Sequence, residues 1–209
     1  MQFIHALQDW WLHQDKVEFV GVVTGLLCVY LAAKNNIWNW PLAIISVILY
    51  IFIFFEARLY ADMGLQVYFL GTNIYGWYYW SRKPALEVKT PVALISKKQV
   101  LYSVIIVAVV TPLLGTALIK LAPILNYTPA SYPYLDSFCT ACSLVAQVFL
   151  ARKVLENWLI WIFVDIIYVG IYIFKDLHLT AGMYAVYVGI ALMGYIDWKK
   201  DYKKQSLTS

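Results

Sequence analysis

Apolar runs long enough to cross a bilayer recur along this chain, with short polar punctuation between them. They lie near residues 17–33, 38–55, 64–80, 100–121, 136–151, 158–174 and 181–198. A spanning helix needs roughly 20 predominantly apolar residues, so the pattern predicts seven transmembrane helices. Most breaks are brief, such as "KNN", "EARLYAD", "RKVLEN" and "KDLHLT"; the longer connectors are 81–99 and 122–135. The opening "MQFIHALQDWWLHQDK" lacks the basic head, long apolar run and small-residue cleavage site of a secretory signal. Phe3, Ile4, Leu7, Trp10 and Trp11 instead fall at helical spacing, which predicts an interfacial amphipathic helix over residues 1–16.

Composition agrees. The chain is 62% apolar and 13% charged, with a mean hydropathy of +0.67, well outside the range of ordinary soluble domains. Seven helices use most of its 209 residues and leave no room among them for a soluble domain. The net charge of +4 is spread over connectors and the tail, not gathered in a stripe, which argues against a nucleic-acid partner. Cys28, Cys139 and Cys142 lie in apolar segments, and the C-x-x-C they include reads as packing. Nothing calls for a metal or a cofactor.

The basic residues also set an orientation. Lys34, Arg82, Lys83, Lys89, Lys97, Lys98, Arg152, Lys153, Lys199, Lys200, Lys203 and Lys204 share one face, against Lys16, Arg58, Lys120 and Lys175 on the other. The richer face is cytoplasmic by the positive-inside rule, so the N-terminus lies outside and the C-terminus inside.

Sliding the chain on itself by 118 positions exposes an internal repeat. Asn39 and Trp40 fall on Asn157 and Trp158, and the ungapped register continues through Tyr50 and Tyr168, Gly64 and Gly182, Gly71 and Gly189, Gly76 and Gly194, and Trp80 and Trp198. Each copy holds three helices, and the extra helix between them restores the direction of the second copy. The expected fold is thus an all-α membrane protein in a 3+1+3 arrangement with parallel repeats. Its divisions are an external helix at 1–16, a first repeat at 17–80, a linker with the fourth helix at 81–135, a second repeat at 136–198 and a basic cytoplasmic tail at 199–209. Parallel repeats about an axis along the membrane normal are a recurring transporter plan, with the substrate site near midplane between them. Gly64, Gly71 and Gly76, and the run Ala181, Ala185 and Gly189, read as close helix contacts.

Repeats share packing residues, so positions where the copies differ in polarity are candidates for a site. Asp165 matches Val47, and Trp161 matches Ala43. Trp158, Trp161, Asp165, Tyr168 and Tyr172 are spaced three, four, three and four apart and share one helix face. An ionisable residue at midplane is costly unless it faces a cavity or a partner. Gln66 and Asn73 share a face of the third helix, opposite Tyr184 and Ala191 in the second copy, and Gln147 on the fifth adds an amide at similar depth. Aromatic faces beside one carboxylate suit a flat cationic heteroaromatic solute. Trp158 also sits where an aromatic belt places tryptophan, and buried amides also join helices.

The stretches "NIYGWYYWSRK" at 73–83 and "RKVLENWLIW" at 152–161, with the W-x-x-W-x-x-x-D pattern at Trp158, Trp161 and Asp165, closely resemble the Pnu family of bacterial vitamin transporters. The resemblance covers residues 18–200. One branch, PnuC, carries nicotinamide riboside and another, PnuT, carries thiamine. It implies a fold related to the SWEET sugar transporters, a homotrimer in the bacterial inner membrane, and facilitated diffusion made one-way by a cytoplasmic vitamin kinase. It also implies that Trp158, Trp161 and Asp165 bind substrate, and that Asn73 lies in the matching third-helix motif. Asp165 stands where many nicotinamide riboside carriers have Asn, which leaves thiamine as the alternative substrate. An ion-coupled carrier using Asp165 is the other alternative. Enzyme chemistry fits poorly: Asp165 is the only acid clearly inside a span, and His5, His13 and His178 lie near membrane edges.

Overall fold

The computed structural model describes residues 16–56, 60–82, 90–124 and 132–208. The interfacial helix expected over 1–16 lies outside them, apart from Lys16. Among the described residues the chain forms seven helices: α1 Lys16–Ala33, α2 Asn39–Glu56, α3 Tyr60–Ser81, α4 Lys97–Ile124, α5 Pro133–Ala151, α6 Asn157–Phe174 and α7 His178–Thr208. Of these, α2, α4, α5, α6 and α7 are long and apolar enough to cross a membrane. The described apolar part of α1 is the shorter Val23–Ala33. Although α3 has 22 residues, it is diluted by Gln66, Thr72, Asn73 and its tyrosines, as a helix that turns polar groups inward must be.

Helix α7 runs ten residues past the expected span, to Thr208. The basic tail is therefore helical, in keeping with a lysine-rich stretch free of Gly and Pro. The C-terminal part of α7 reaches the turn after α1 and the connector after α3. Asp197 pairs with Lys34 at 2.9 Å, Asp201 accepts from Asn35 Nδ2 at 3.2 Å, and Gln205 Oε1 accepts from the Val92 amide at 3.1 Å. Helix α5 starts with Pro133 in its first turn, where a missing N–H costs nothing, and Asp136 faces the positive end of the helix.

The 118-residue offset reappears in the geometry. Both α1 and α5 end in a left-handed residue, Asn35 and Lys153, each with φ 54°. Asn35 N donates to Ala32 O at 2.9 Å, as Lys153 N does to Leu150 O at 3.1 Å. Asn39 Nδ2 donates to Asn36 O and Asn157 Nδ2 to Val154 O, both at 2.7 Å. Asparagine tolerates the left-handed region; lysine does so less readily. Lys153 is buried, and its ammonium donates to Thr90 O at 2.9 Å and sits 4.3 Å from the centre of the Trp80 ring. The connector between α3 and α4 lies here too, with Ala93 N donating to Lys153 O at 2.9 Å and Leu155 N to Ala93 O at 2.8 Å.

Helix packing closes a ring. In order, α1, α2, α3, α5, α6 and α7 each pack on the next, and α7 packs back on α1; among the described residues α4 stands outside this ring and packs chiefly on α5. Half of the α5 span is buried against 6% of α4, so α5 is central and α4 peripheral. Exchanging α1, α2 and α3 for α5, α6 and α7 reproduces the same pattern of neighbours.

One end of the ring is plugged by four buried tryptophans. Trp40 and Trp80 meet edge to face at 5.3 Å, Trp158 and Trp198 do so at 5.4 Å, and Trp80 meets Trp198 at 5.6 Å. Trp80 Nε1 donates to Ala151 O and Trp198 Nε1 to Ala32 O, each at 3.2 Å. Each indole thus ties a third helix to the first helix of the other unit.

The glycines divide into two kinds. A methyl group on Gly194 would come within 2.7 to 2.8 Å of the Trp158 indole, and one on Gly76 would strike Trp40. At Gly64, Gly71, Gly182 and Gly189 it would meet nothing within 4 Å. The expected close contacts therefore hold for Gly76 but not for Gly64, Gly71 or Gly189, because Gly76, like its mate Gly194, lies beneath a ring and those three do not. Gly76→Ala and Gly194→Ala should each cost about 1–3 kcal/mol through overpacking. Gly64→Ala and Gly182→Ala should be neutral or stabilising through helix propensity. Thermal unfolding in detergent checks the contrast: equal melting temperatures for all four would contradict it.

Candidate functional site

The helix ring surrounds a cavity of about 550 Å³, within the range of small-molecule sites. All six ring helices line it. Seven pairs of lining residues are related by the 118-residue offset: Val29 and Gln147, Ala32 and Leu150, Ala43 and Trp161, Val47 and Asp165, Gln66 and Tyr184, Phe69 and Tyr187, Asn73 and Ala191. The cavity therefore sits where the two three-helix units face each other. In each pair the two side chains differ, so the cavity is symmetric in its walls and asymmetric in its chemistry.

Helix α6 brings Trp161 and Asp165 to one wall, a turn apart, as the 3.6-residue period requires. Asp165 is 7% exposed. No hydrogen bond or ion pair joins it to a described residue, and no Lys or Arg lines the cavity. Tyr184 and Tyr187 on α7 line the same space; Tyr187 places its hydroxyl 3.1 Å from where a Cβ on Gly25 would lie. Across the cavity, Gln147 Nε2 donates to Asn73 Oδ1 at 2.8 Å, and both residues are buried. Gln66, Ser46, Tyr50 and Cys28 complete the polar lining. Cys28, Cys139 and Cys142 are free thiols, the last two buried against Val164.

Six of the seven residues marked in the sequence line the cavity: Trp158, Trp161, Asp165, Asn73, Gln66 and Gln147. Trp158 does so from the plug, with only 1% of its surface exposed. Its ring covers Gly194 as Trp40 covers Gly76, so most of its face is spent on packing. Tyr168 is not among the lining residues. Its ring lies 5.0 Å from Tyr184 and 6.1 Å from Tyr172, and its hydroxyl donates to Asp136 Oδ1 at 3.3 Å. It stands behind Tyr184 because one helix stripe spans more than one environment when the helix lies against two neighbours.

The residues that sequence reasoning passed over are Tyr184, Tyr187, Tyr50 and Phe69. For Tyr184 the repeat carries the signal. Gln66 and its offset mate Tyr184 both line the cavity, as do Phe69 and Tyr187.

Residues 15–200 match the profile of the family described as nicotinamide mononucleotide transporter. The chain belongs to this family. The nicotinamide riboside transporter PnuC of Escherichia coli is 32% identical, with 87% of this chain and 84% of the relative covered. The PnuC of Neisseria mucosa is 28% identical over 90% of this chain and 73% of its own. The riboflavin/roseoflavin transporter RibM of Streptomyces davaonensis is 27% identical over 87% and 83%. A crystal structure of the vitamin B3 transporter PnuC superposes with a TM-score of 0.66 at 26% identity, covering 96% of this chain and 88% of the other. Members of the PnuC family are transporters, which accounts for a lined cavity in a chain of membrane-crossing helices.

Placement predicts which substitutions matter. Trp161→Ala should weaken ligand binding about ten- to thirtyfold, as expected for a lost desolvated cation–π contact. Tyr168→Phe should leave affinity within about twofold, because only the bond to Asp136 is lost. Titration of the purified variants, followed by the quenching of intrinsic tryptophan fluorescence, separates the two; a larger loss for Tyr168→Phe would relocate the site.

Proposed function

We propose that this protein carries nicotinamide riboside into the cell by facilitated diffusion, with Trp161 and Asp165 holding the cationic ring. The observation that carries the reading is the buried, unpaired Asp165 carboxylate beside Trp161, Tyr184 and Tyr187 in a cavity without a basic side chain. A charge at that depth is costly until a cation or a proton meets it. A pyridinium supplies the positive charge and an aromatic face in one group. The names of the PnuC relatives support the same solute.

The family description names the mononucleotide, but the cavity argues for the riboside. A phosphate would enter next to Asp165 with no Lys or Arg to neutralise it. The same feature suits one-way uptake: once a cytoplasmic kinase adds a phosphate, the product no longer fits the path back. We take the chain to cross the membrane seven times as two parallel three-helix repeats, with the tryptophan plug and the basic tail on the cytoplasmic side.

The unpaired carboxylate also favours a second reading, an ion-coupled carrier in which Asp165 binds a proton during each cycle. Thiamine, also a cationic aromatic, remains the alternative solute within the first reading.

Three measurements test this. Titration should give binding of nicotinamide riboside and none of nicotinamide mononucleotide; equal affinities would end the reading. Uptake into liposomes should proceed at the same rate with and without a proton gradient, and a gradient-dependent rate would establish the second reading. A cysteine placed at Lys204 should be protected from an impermeant thiol reagent added outside intact cells, and labelling there would reverse the topology.

A further inference from the structure

Asn73 on α3 and Gln147 on α5 come from different three-helix units and meet through one hydrogen bond, Gln147 Nε2 to Asn73 Oδ1, at 2.8 Å. Neither side chain bonds to any other described residue, and both line the cavity. An amide group carries one carbonyl oxygen and one NH₂. After one mutual bond, the pair keeps a free oxygen on one partner and a free NH₂ on the other. Exchanging nitrogen and oxygen on both side chains leaves that inventory unchanged, so the argument does not depend on which way the amides point. The pair therefore shows the cavity an adjacent donor and acceptor, and the offset mates Ala191 and Val29 show neither.

We propose that the Asn73–Gln147 pair reads the carboxamide of the transported ring and makes the carrier select a carboxamide over a ketone or a carboxylate at the same position. This rests on the riboside reading above. A primary carboxamide offers a carbonyl oxygen to the free NH₂ and an N–H to the free oxygen, closing a two-bond array. A methyl ketone keeps the first bond and leaves the buried oxygen unmet. A carboxylate turns an acceptor toward that oxygen and adds a negative charge to a cavity that already holds Asp165. Because the donor–acceptor edge occurs on one side of a symmetric-walled cavity, it also fixes which way round the ring lies.

The test compares three ligands with the same sugar and the same pyridine ring: nicotinamide riboside, 3-acetylpyridine riboside and nicotinic acid riboside, titrated against the purified full-length protein. The wild type should bind the ketone roughly tenfold more weakly than the carboxamide, and the carboxylate more weakly still, as expected for one unmet buried acceptor. Gln147→Leu, checked for monodisperse elution, should bring the ketone and the carboxamide within about twofold of each other, since the Asn73 NH₂ then serves both carbonyls. Equal binding of ketone and carboxamide by the wild type overturns the inference while leaving the riboside reading intact; this comparison needs no variant. Preference for the carboxylate would overturn it as well. Failure of all three ribosides to bind would bring down the transport reading and this inference together.

Discussion

Two indoles meeting at 5.6 Å, those of Trp80 and Trp198, hold the two halves of this molecule in register. Each is buried, each packs edge to face on a second tryptophan, and each donates to a carbonyl at the end of the other unit's first helix. Apolar surface alone gives helices little reason to associate in lipid, so packing and satisfied polar groups must supply it. Four aromatic side chains bury much area with few torsions to freeze, and two indole N–H groups satisfy carbonyls that helix ends leave orphaned. Gly76 and Gly194 follow from that choice: a ring laid flat on a neighbouring helix requires a residue without a Cβ beneath it.

Much of this arrangement is legible in the sequence. Apolar run length places the helices, and the offset of 118 residues pairs Trp40 with Trp158, Trp80 with Trp198 and Gly76 with Gly194. Those pairs recur in the geometry because identical residues face identical surroundings in both copies. The sequence is silent where the surroundings, not the residues, decide. Gly64 and Gly76 look alike on paper, yet open space lies beside one and a tryptophan ring beside the other. Lys153 reads as one more cytoplasmic charge, but the returning connector buries it against Thr90 and Trp80. Residues far apart in the chain create both environments, and no local pattern records them.

The candidate site is legible to a similar degree. Polarity differences between repeat mates point to Asp165, Trp161 and the amides because a duplicated scaffold has no packing reason to make one copy polar. The same rule overlooks Phe69 and Tyr187, which differ by a hydroxyl and line the cavity together. It overextends to Tyr168, whose helical spacing from Asp165 is right but whose ring lies behind Tyr184. Spacing fixes a direction around one helix; which neighbour occupies that direction depends on how the helix is tilted against two others.

The interior is built by placing different side chains on matched walls. Equivalent positions give shape complementarity to something flat, and their substitutions break the equivalence in a particular order: acid and aromatics from α6 and α7, amides from α3 and α5. A ligand with one cationic face and one polar edge can satisfy both only in a single orientation. A cavity with two identical halves would leave that choice open, and the transported group would pay for disorder in affinity. Matched helices frame the void, and the two side chains differ at all seven offset-related lining pairs, so its walls correspond while its chemistry does not. Among the described residues α4 packs chiefly on α5 and lines none of the cavity.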